Sequence, residues 1–105
     1  MKAIVHEKYG SPEVLQLKEI EKPKPKDNEV LIRIHAATVG LSDIMTRKGV
    51  PLLTRFFTGL GKPKNPIPGA EFSGEIEAIG NDVKLFKKSD QVLGVDLSGL
   101  GAYAE

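Results

Sequence analysis

The 105-residue sequence contains no cysteine, no tryptophan and no excess of charge of one sign. Without cysteine, disulfides, iron–sulfur clusters, thiolate zinc sites and cysteine nucleophiles are excluded within these residues. The 15 basic and 14 acidic residues leave a net charge of +1. Proteins that bind nucleic acid by neutralising phosphates carry a larger and more clustered basic surplus. We therefore expect no nucleic-acid partner.

Long apolar runs are absent as well. No stretch approaches the ~18 residues that span a membrane, and residues 1–6 are too short and too polar for a signal peptide. We therefore expect no membrane partner and a cytoplasmic protein. Val, Leu, Ile and Phe still make up roughly 30% of the chain, above the ~20% below which disorder is favoured. The length allows one domain, or part of one.

Most of the predicted secondary structure consists of short strands, separated by 11 glycines and 7 prolines. Alternation of apolar and polar residues between turn signals predicts strands at residues 3–8, 14–20, 29–37, 71–79, 91–95 and 102–105. The clearest of them is 29–37, where Val30, Ile32 and Ile34 share one apolar face.

Only two helices are predicted, both in the middle of the chain. Leu41, Ile44 and Met45 have helical spacing over residues 41–48, and Gly49 stands where a C-terminal cap belongs. Residues 51–60 show a second apolar stripe, which we expect to pack on its own domain or a partner domain. Short strands around two inserted helices favour a small β-barrel or sandwich, because a parallel sheet needs long helices between successive strands.

Few residues of this chain offer metal or nucleophile chemistry. A metal site needs three or four ligands, and the histidines are limited to His6 and His35, which we interpret as surface or half-buried strand residues. No serine lies in a Gly-x-Ser-x-Gly elbow. Residues 99–104 satisfy G-x-G-x-x-A, a dinucleotide-binding pattern that requires a helix after the glycines. We prefer a glycine turn that leads into an edge strand.

Four segments in order resemble the medium-chain dehydrogenase/reductases. They are EVLIRIHAATVGLSD at 29–43, PGAEFSGEIEAIG at 68–80, VKLFKKSDQV at 83–92, with Ser89 in place of the usual glycine, and GAYAE at 101–105. The opening residues 1–4 and 10–15 fit the quinone oxidoreductase branch of that family.

The resemblance implies a mainly β fold: a GroES-like, partly open β-barrel with two short inserted helices. Residues 1–105 would be the N-terminal part of the GroES-like catalytic domain. The family's Rossmann domain, which binds NADH or NADPH, would lie outside this chain, so we expect the isolated chain to be inactive. A homodimer of the longer protein is left open.

Departures from the family pattern argue against zinc. Zinc-dependent members place a cysteine where Gly40 stands and a histidine where Ala70 stands, and neither residue here has a donor atom. Many zinc-free quinone reductases place asparagine at the Gly40 position and tyrosine at the Met45 position, and both are missing too. We therefore expect no metal site, and the quinone contacts of those relatives do not carry over.

The resemblance also supplies candidate site residues. Ser42 matches the hydroxyl residue that passes a proton from the substrate in alcohol dehydrogenases, although a cap on a helix over 43–48 is the alternative role. The expected apolar walls of the substrate pocket are Leu41, Met45, Phe56 and Phe57. Glu71 is expected to be structural, and the cofactor-binding residues are unknown.

These observations favour one hypothesis and leave two alternatives. The first is the substrate side of a zinc-independent NAD(P)H-dependent oxidoreductase that transfers hydride to a small molecule, either a quinone, an activated alkene or a carbonyl. The alternatives are a non-catalytic β-barrel interaction module and a zinc-dependent alcohol dehydrogenase.

Overall fold

The computed structural model describes residues 1–50, 55–96 and 101–105, with residues 57 and 58 described by their backbone. The strands are β1 (Lys2–Val5), β2 (Gln16–Glu19), β3 (Val30–Ala37), β4 (Glu71–Ile79) and β5 (Gln91–Val95), and the helices are α1 (Leu41–Lys48) and α2 (Arg55–Thr58). A short 3-10 helix, Pro12–Val14, precedes β2. The described residues thus confirm the predicted mainly β fold with two short helices between strands.

The strands form two antiparallel sheets. In the first, β1 pairs with β2 from Lys2 opposite Glu19 to Val5 opposite Gln16. The second has the order β3-β4-β5. Its β3–β4 pairing shifts register twice, between Leu31 and Ile32 and between Ile34 and Ala36. Bulges of this kind bend a strand and strengthen its twist.

The C-terminal segment joins the two sheets. Ala104 forms a bridge with Ala3 in β1, and Ile4 N–H donates to Tyr103 O at 2.8 Å. On the other side, Ile34 N–H in β3 donates to Glu105 O at 2.9 Å. The strand predicted at 102–105 is therefore reduced to one bridge, but it holds β1 beside β3 as a partly open barrel requires.

The buried apolar residues of the described part are small in number and mostly small in size: Ala3, Val5, Ala70, Ile76 and Ala102. A cavity of about 710 Å³ lies against β3 and β4 beside the C-terminal segment, lined among others by Val30, Ile32, Ile34, Phe72 and Ala104. Large apolar side chains are exposed elsewhere, including Leu93, which is 86% exposed on β5. The described sheets therefore leave considerable apolar surface uncovered.

Several predictions of local structure were confirmed and others were wrong. The helix over 41–48 and the strands over 71–79 and 91–95 have the predicted bounds. The strands predicted at 3–8 and 14–20 are shorter, and the predicted helix at 51–60 is described over Arg55–Thr58, its first four residues lying outside the described part. In the described ranges, no helix is long and apolar enough to cross a membrane.

The interpretation of His6 as a surface or half-buried residue was wrong, whereas His35 is exposed as predicted. The His6 side chain is 0% exposed. Its backbone N–H donates to Pro66 O at 2.7 Å, which places the residue under the loop before β4. Burial lowers the pKa of the imidazole, because removing water disfavours the charged form.

Candidate active site

The first turn of α1 lies directly after the end of β3. Gly40 is the N-cap residue, in extended conformation, and its carbonyl accepts from Asp43 N–H at 3.1 Å and Ile44 N–H at 3.2 Å. In return, Gly40 N–H donates to Asp43 Oδ2 at 2.9 Å. A carboxylate in the first turn also complements the positive end of the helix dipole. These bonds fix where the helix begins.

Ser42 therefore does not cap the helix, and that alternative was wrong. The helix starts at Leu41, so Ser42 is its second residue, and the reciprocal bonds run between Gly40 and Asp43. The Ser42 side chain is exposed. A hydroxyl on a fixed first turn is a suitable donor for a ligand oxygen.

The structure brings three of the predicted site residues together. Leu41 and Met45 lie one helical turn apart on α1, so their side chains are neighbours, with Ser42 between them in sequence. Leu41 is 72% exposed and Met45 is half-buried. The first turn of α1 therefore offers an apolar surface beside a hydroxyl.

Phe56 lies on a different element. It is exposed on α2, where Arg55 Nε donates to Gly49 O at 2.9 Å, so that α2 is attached to the C-terminal end of α1. With a rise of about 1.5 Å per residue, that end is about 10 Å from Ser42. The side chain of Phe57 lies outside the described part of the structure.

Tyr9 organises the C-terminal end of α1. Its hydroxyl donates to Gly59 O at 2.6 Å, and the Arg55 guanidinium lies 4.5 Å from its ring centroid, a cation–π geometry. Gly49 has φ +70°, and a Cβ there would lie 2.6 Å from Arg55 Nε and 2.8 Å from the Tyr9 ring. Only glycine fits this position, which the sequence identified as the C-terminal cap.

A second tyrosine, Tyr103, organises the N-terminal end of α1. Its hydroxyl donates to Thr38 O at 3.0 Å, while the Thr38 hydroxyl donates to Glu71 Oε2 at 3.0 Å. Burial is the main cause that raises the pKa of Tyr103 to about 12, and the charge of Asp43 and a hydrogen bond with its carboxylate act in the same direction. The bond from Thr38 agrees with the structural role expected of Glu71.

Tyr103 and Thr38 were not predicted from the sequence as residues near the site. Tyr103 appeared there as a letter of the GAYAE segment, and its partner Thr38 is 65 residues away. A usable signal was the aromatic ring itself, which stands between two alanines close to Gly101. A ring among small residues frequently fills a space that the small residues leave.

The residues at the positions of the zinc ligands do not fit a zinc ion. Gly40 and Ala70 have no side-chain donor, and the nearby Glu71 carboxylate already accepts from Thr38. Within the described residues, no group of three His, Cys, Asp or Glu side chains could hold a metal.

The G-x-G-x-x-A segment at the end of the chain is described only in part. Gly99 and Leu100 lie outside the described residues, whereas Gly101 has φ +104° and is followed by the segment that bridges to β1 at Ala104. A pyrophosphate site of the G-x-G-x-x-A type needs a helix at that point. No helix is described over residues 101–105, and the glycine turn predicted before them includes residues 99 and 100, which lie outside the described part.

Comparisons with known proteins show the family to which this chain is similar. The alcohol dehydrogenase GroES-like domain family matches residues 26–105. The quinone oxidoreductase of Sus scrofa is 40% identical over the whole chain, which spans 30% of that protein's length.

Two solved structures of bacterial quinone oxidoreductases are also similar. The one from Coxiella burnetii has a TM-score of 0.86 and 32% identity, covering 100% of this chain and 33% of its own. The one from Escherichia coli, complexed with NADPH, has a TM-score of 0.81 and 29% identity, covering 99% of this chain and 29% of its own. The chain belongs to the alcohol dehydrogenase GroES-like domain family, within the medium-chain dehydrogenase/reductase superfamily.

Proposed function

We propose that this chain is the substrate side of a zinc-independent NAD(P)H-dependent oxidoreductase, which reduces a quinone, an activated alkene or a carbonyl. The observation that carries the proposal is the first turn of α1, which presents the Ser42 hydroxyl beside the exposed Leu41 side chain. The similarity to quinone oxidoreductases along the whole chain supports it.

The nucleotide-binding part would lie in the remainder of a longer protein. This chain spans 30% of the Sus scrofa enzyme, and the similar Escherichia coli structure contains NADPH. The bound cofactor would supply the hydride. The residues described here would form the opposite wall of the cleft, which binds and orients the acceptor.

Ser42 would act as a hydrogen-bond donor. When hydride adds to a carbonyl or to a conjugated system, negative charge develops on an oxygen, and a donor already in place stabilises that charge. Leu41 and Met45 would contact the apolar part of the acceptor and exclude water from it.

We also propose that the reaction needs no zinc, and the absence of side-chain ligands at positions 40 and 70 supports this. Gly40 and Ala70 cannot ligate a metal, so a Lewis acid at this place would have to be held by other residues. Without one, the hydroxyl of Ser42 would carry the stabilisation of the developing oxyanion.

The test uses the full-length protein that contains this chain. We would measure oxidation of NADH and NADPH with 1,4-benzoquinone, an α,β-unsaturated ketone and an aldehyde, before and after dialysis against EDTA. We expect turnover with at least one acceptor and no change after chelation. Turnover that EDTA abolishes and Zn²⁺ restores would refute zinc independence, and no oxidation with any acceptor would refute the enzyme.

A further inference from the structure

Tyr103 stands where three segments around the first turn of α1 meet. Its backbone is held from two sides, because its N–H donates to Pro68 O at 3.1 Å and its carbonyl accepts from Ile4 N–H at 2.8 Å. The adjacent Ala102 N–H donates to Gly69 O at 3.1 Å. The main chain at 102–103 is thus bound to β1 and to the turn before β4.

The Tyr103 ring packs on that turn. Gly69 has φ +98°, and a Cβ at Gly69 would lie 2.6 Å from Tyr103 Cδ1. The ring therefore occupies the space left by the missing side chain. Ala70, which follows Gly69, is buried, so the turn cannot move away from the ring without disturbing the core.

The Tyr103 hydroxyl reaches the other segment. It donates to Thr38 O at 3.0 Å, and it also interacts with the carboxylate of Asp43. Thr38 precedes the first turn of α1 and Asp43 lies within it, so the groups that act on the phenol come from both sides of Leu41 and Ser42 in the sequence. Burial and the charge of Asp43 raise the pKa of Tyr103 to about 12.

We propose that Tyr103 is a positioning residue for the reduction, holding the 38–43 segment in a fixed place against the 68–70 turn so that Ser42 meets the acceptor correctly. Tyr103 itself does not touch the acceptor. The inference rests on the proposed function, to which it adds a residue that sets the geometry of the donor.

The experiment compares two identical chemical changes in the full-length protein. The chain has two tyrosines, and each hydroxyl donates to a backbone carbonyl, Tyr103 to Thr38 and Tyr9 to Gly59. Tyr103→Phe removes the bond at the N-terminal end of α1, and Tyr9→Phe removes the bond at the other end. Both variants keep the ring, so packing is preserved.

We expect Tyr103→Phe to lower kcat about tenfold with little change in KM, because a misplaced donor is felt mainly in the transition state. Tyr9→Phe should leave kcat within about twofold of wild type. In a double-mutant cycle, adding Tyr103→Phe to Ser42→Ala should cost almost nothing further, because both changes remove the same function.

Three results would overturn the inference. They are equal kcat values for the two Tyr→Phe variants, additive losses in the cycle, and a Tyr103→Phe protein that fails to fold, since that would assign Tyr103 to the fold.

A readout independent of turnover separates this inference from the proposed function. Should the wild-type protein oxidise no NAD(P)H, the proposed function fails, and amide hydrogen exchange still tests the positioning. Exchange at Asp43 and Ile44, whose N–H groups donate to Gly40 O, should be about tenfold faster in Tyr103→Phe than in wild type. Equal acceleration in Tyr9→Phe would contradict a local role.

Discussion

A tyrosine contacts each end of α1, but the two ends differ in how much they leave exposed. We call the C-terminal end, at Gly49, the closed end, and the N-terminal end, at Leu41 and Ser42, the open end. At the C-terminal end, Tyr9 and Arg55 pack against Gly49, and Arg55 binds α2 to the helix. Arg47 Nε also donates to Gly10 O at 3.2 Å, which binds the turn at residue 10 to the same end. At the N-terminal end, the Tyr103 hydroxyl donates to the backbone carbonyl of Thr38, and the side chains of Leu41 and Ser42 remain exposed.

The difference shows how a short helix can be both anchored and open. Eight residues form only two turns, too few for an isolated helix to be stable. The C-terminal end is anchored by packing around Gly49, and the N-terminal end is anchored by hydrogen bonds of Asp43 and Tyr103 to backbone groups. This arrangement leaves Leu41 and Ser42 available for a ligand.

The largest expected effect on stability is at the closed end. Gly49→Ala places a Cβ in a left-handed conformation and against Arg55 and the Tyr9 ring, so the free energy of unfolding should fall by about 2–3 kcal/mol. Urea denaturation measures it. Gly61→Ala is the matched control, because a Cβ at Gly61 meets nothing within 4 Å. Equal losses in the two variants would show that the C-terminal end is not closed as described.

A smaller loss is expected at the open end. Asp43→Ala removes the carboxylate that accepts from Gly40 N–H, which should lower the free energy of unfolding by about 1 kcal/mol, as for loss of a helix cap. Asp82→Ala, at an exposed position, serves as the control. If Asp43→Ala were as harmless as the control, the start of α1 would not depend on this bond.

Alkaline pH should lower the free energy of unfolding through Tyr103, which contacts the open end of α1. Its pKa is raised from 10.0 to about 12 in the folded protein, so the folded state retains a proton that the unfolded state loses. The resulting stability is complete below pH 10 and is lost as the pH rises towards 12. The effect should be modest because Tyr103 is only partly buried. Urea midpoints across this range should fall less in Tyr103→Phe than in Tyr9→Phe, and parallel curves would contradict the raised pKa.

Acidic pH should lower the free energy of unfolding through His6, which lies near the closed end of α1. We expect this loss of stability to be the smallest of the four. The ring lies edge-on to Tyr9, with 6.5 Å between centroids, and neither ring nitrogen has a hydrogen-bond partner among the described residues. Because burial lowers the pKa of His6, its contribution to stability is complete above pH 6.5 and is lost as the pH falls. His6→Leu should flatten this dependence and His35→Leu should not. An unchanged slope in His6→Leu would show that another group titrates.

Much of the sheet and α1 could be predicted from sequence, because their patterns are local. β4 alternates over nine residues, and α1 carries both helical spacing and a glycine cap. The shorter β1 and β2 were predicted too long, since their ends depend on pairing with each other rather than on their own pattern.

The site was predictable only in part. Leu41, Ser42 and Met45 share one helix, so their proximity follows from spacing. The role of Tyr103 depends on contacts with Thr38 and Gly69, which are far away in sequence. The alternative role of Ser42 as a cap rested on the frequency of serine at that position, whereas Gly40 and Asp43 satisfy the helix start between them.

The most direct test of the account is the rate of NAD(P)H oxidation by the full-length protein carrying Ser42→Ala, with Ser11→Ala as control. Ser11 is also exposed, at the start of the 3-10 helix before β2, and makes no side-chain cap bond there. The account predicts a fall of about 10²-fold in kcat for Ser42→Ala, typical for removal of one oxyanion donor, and an unchanged kcat for Ser11→Ala. Equal rates in Ser42→Ala and wild type would contradict it, because the open end of α1 would then present no group that the reaction uses.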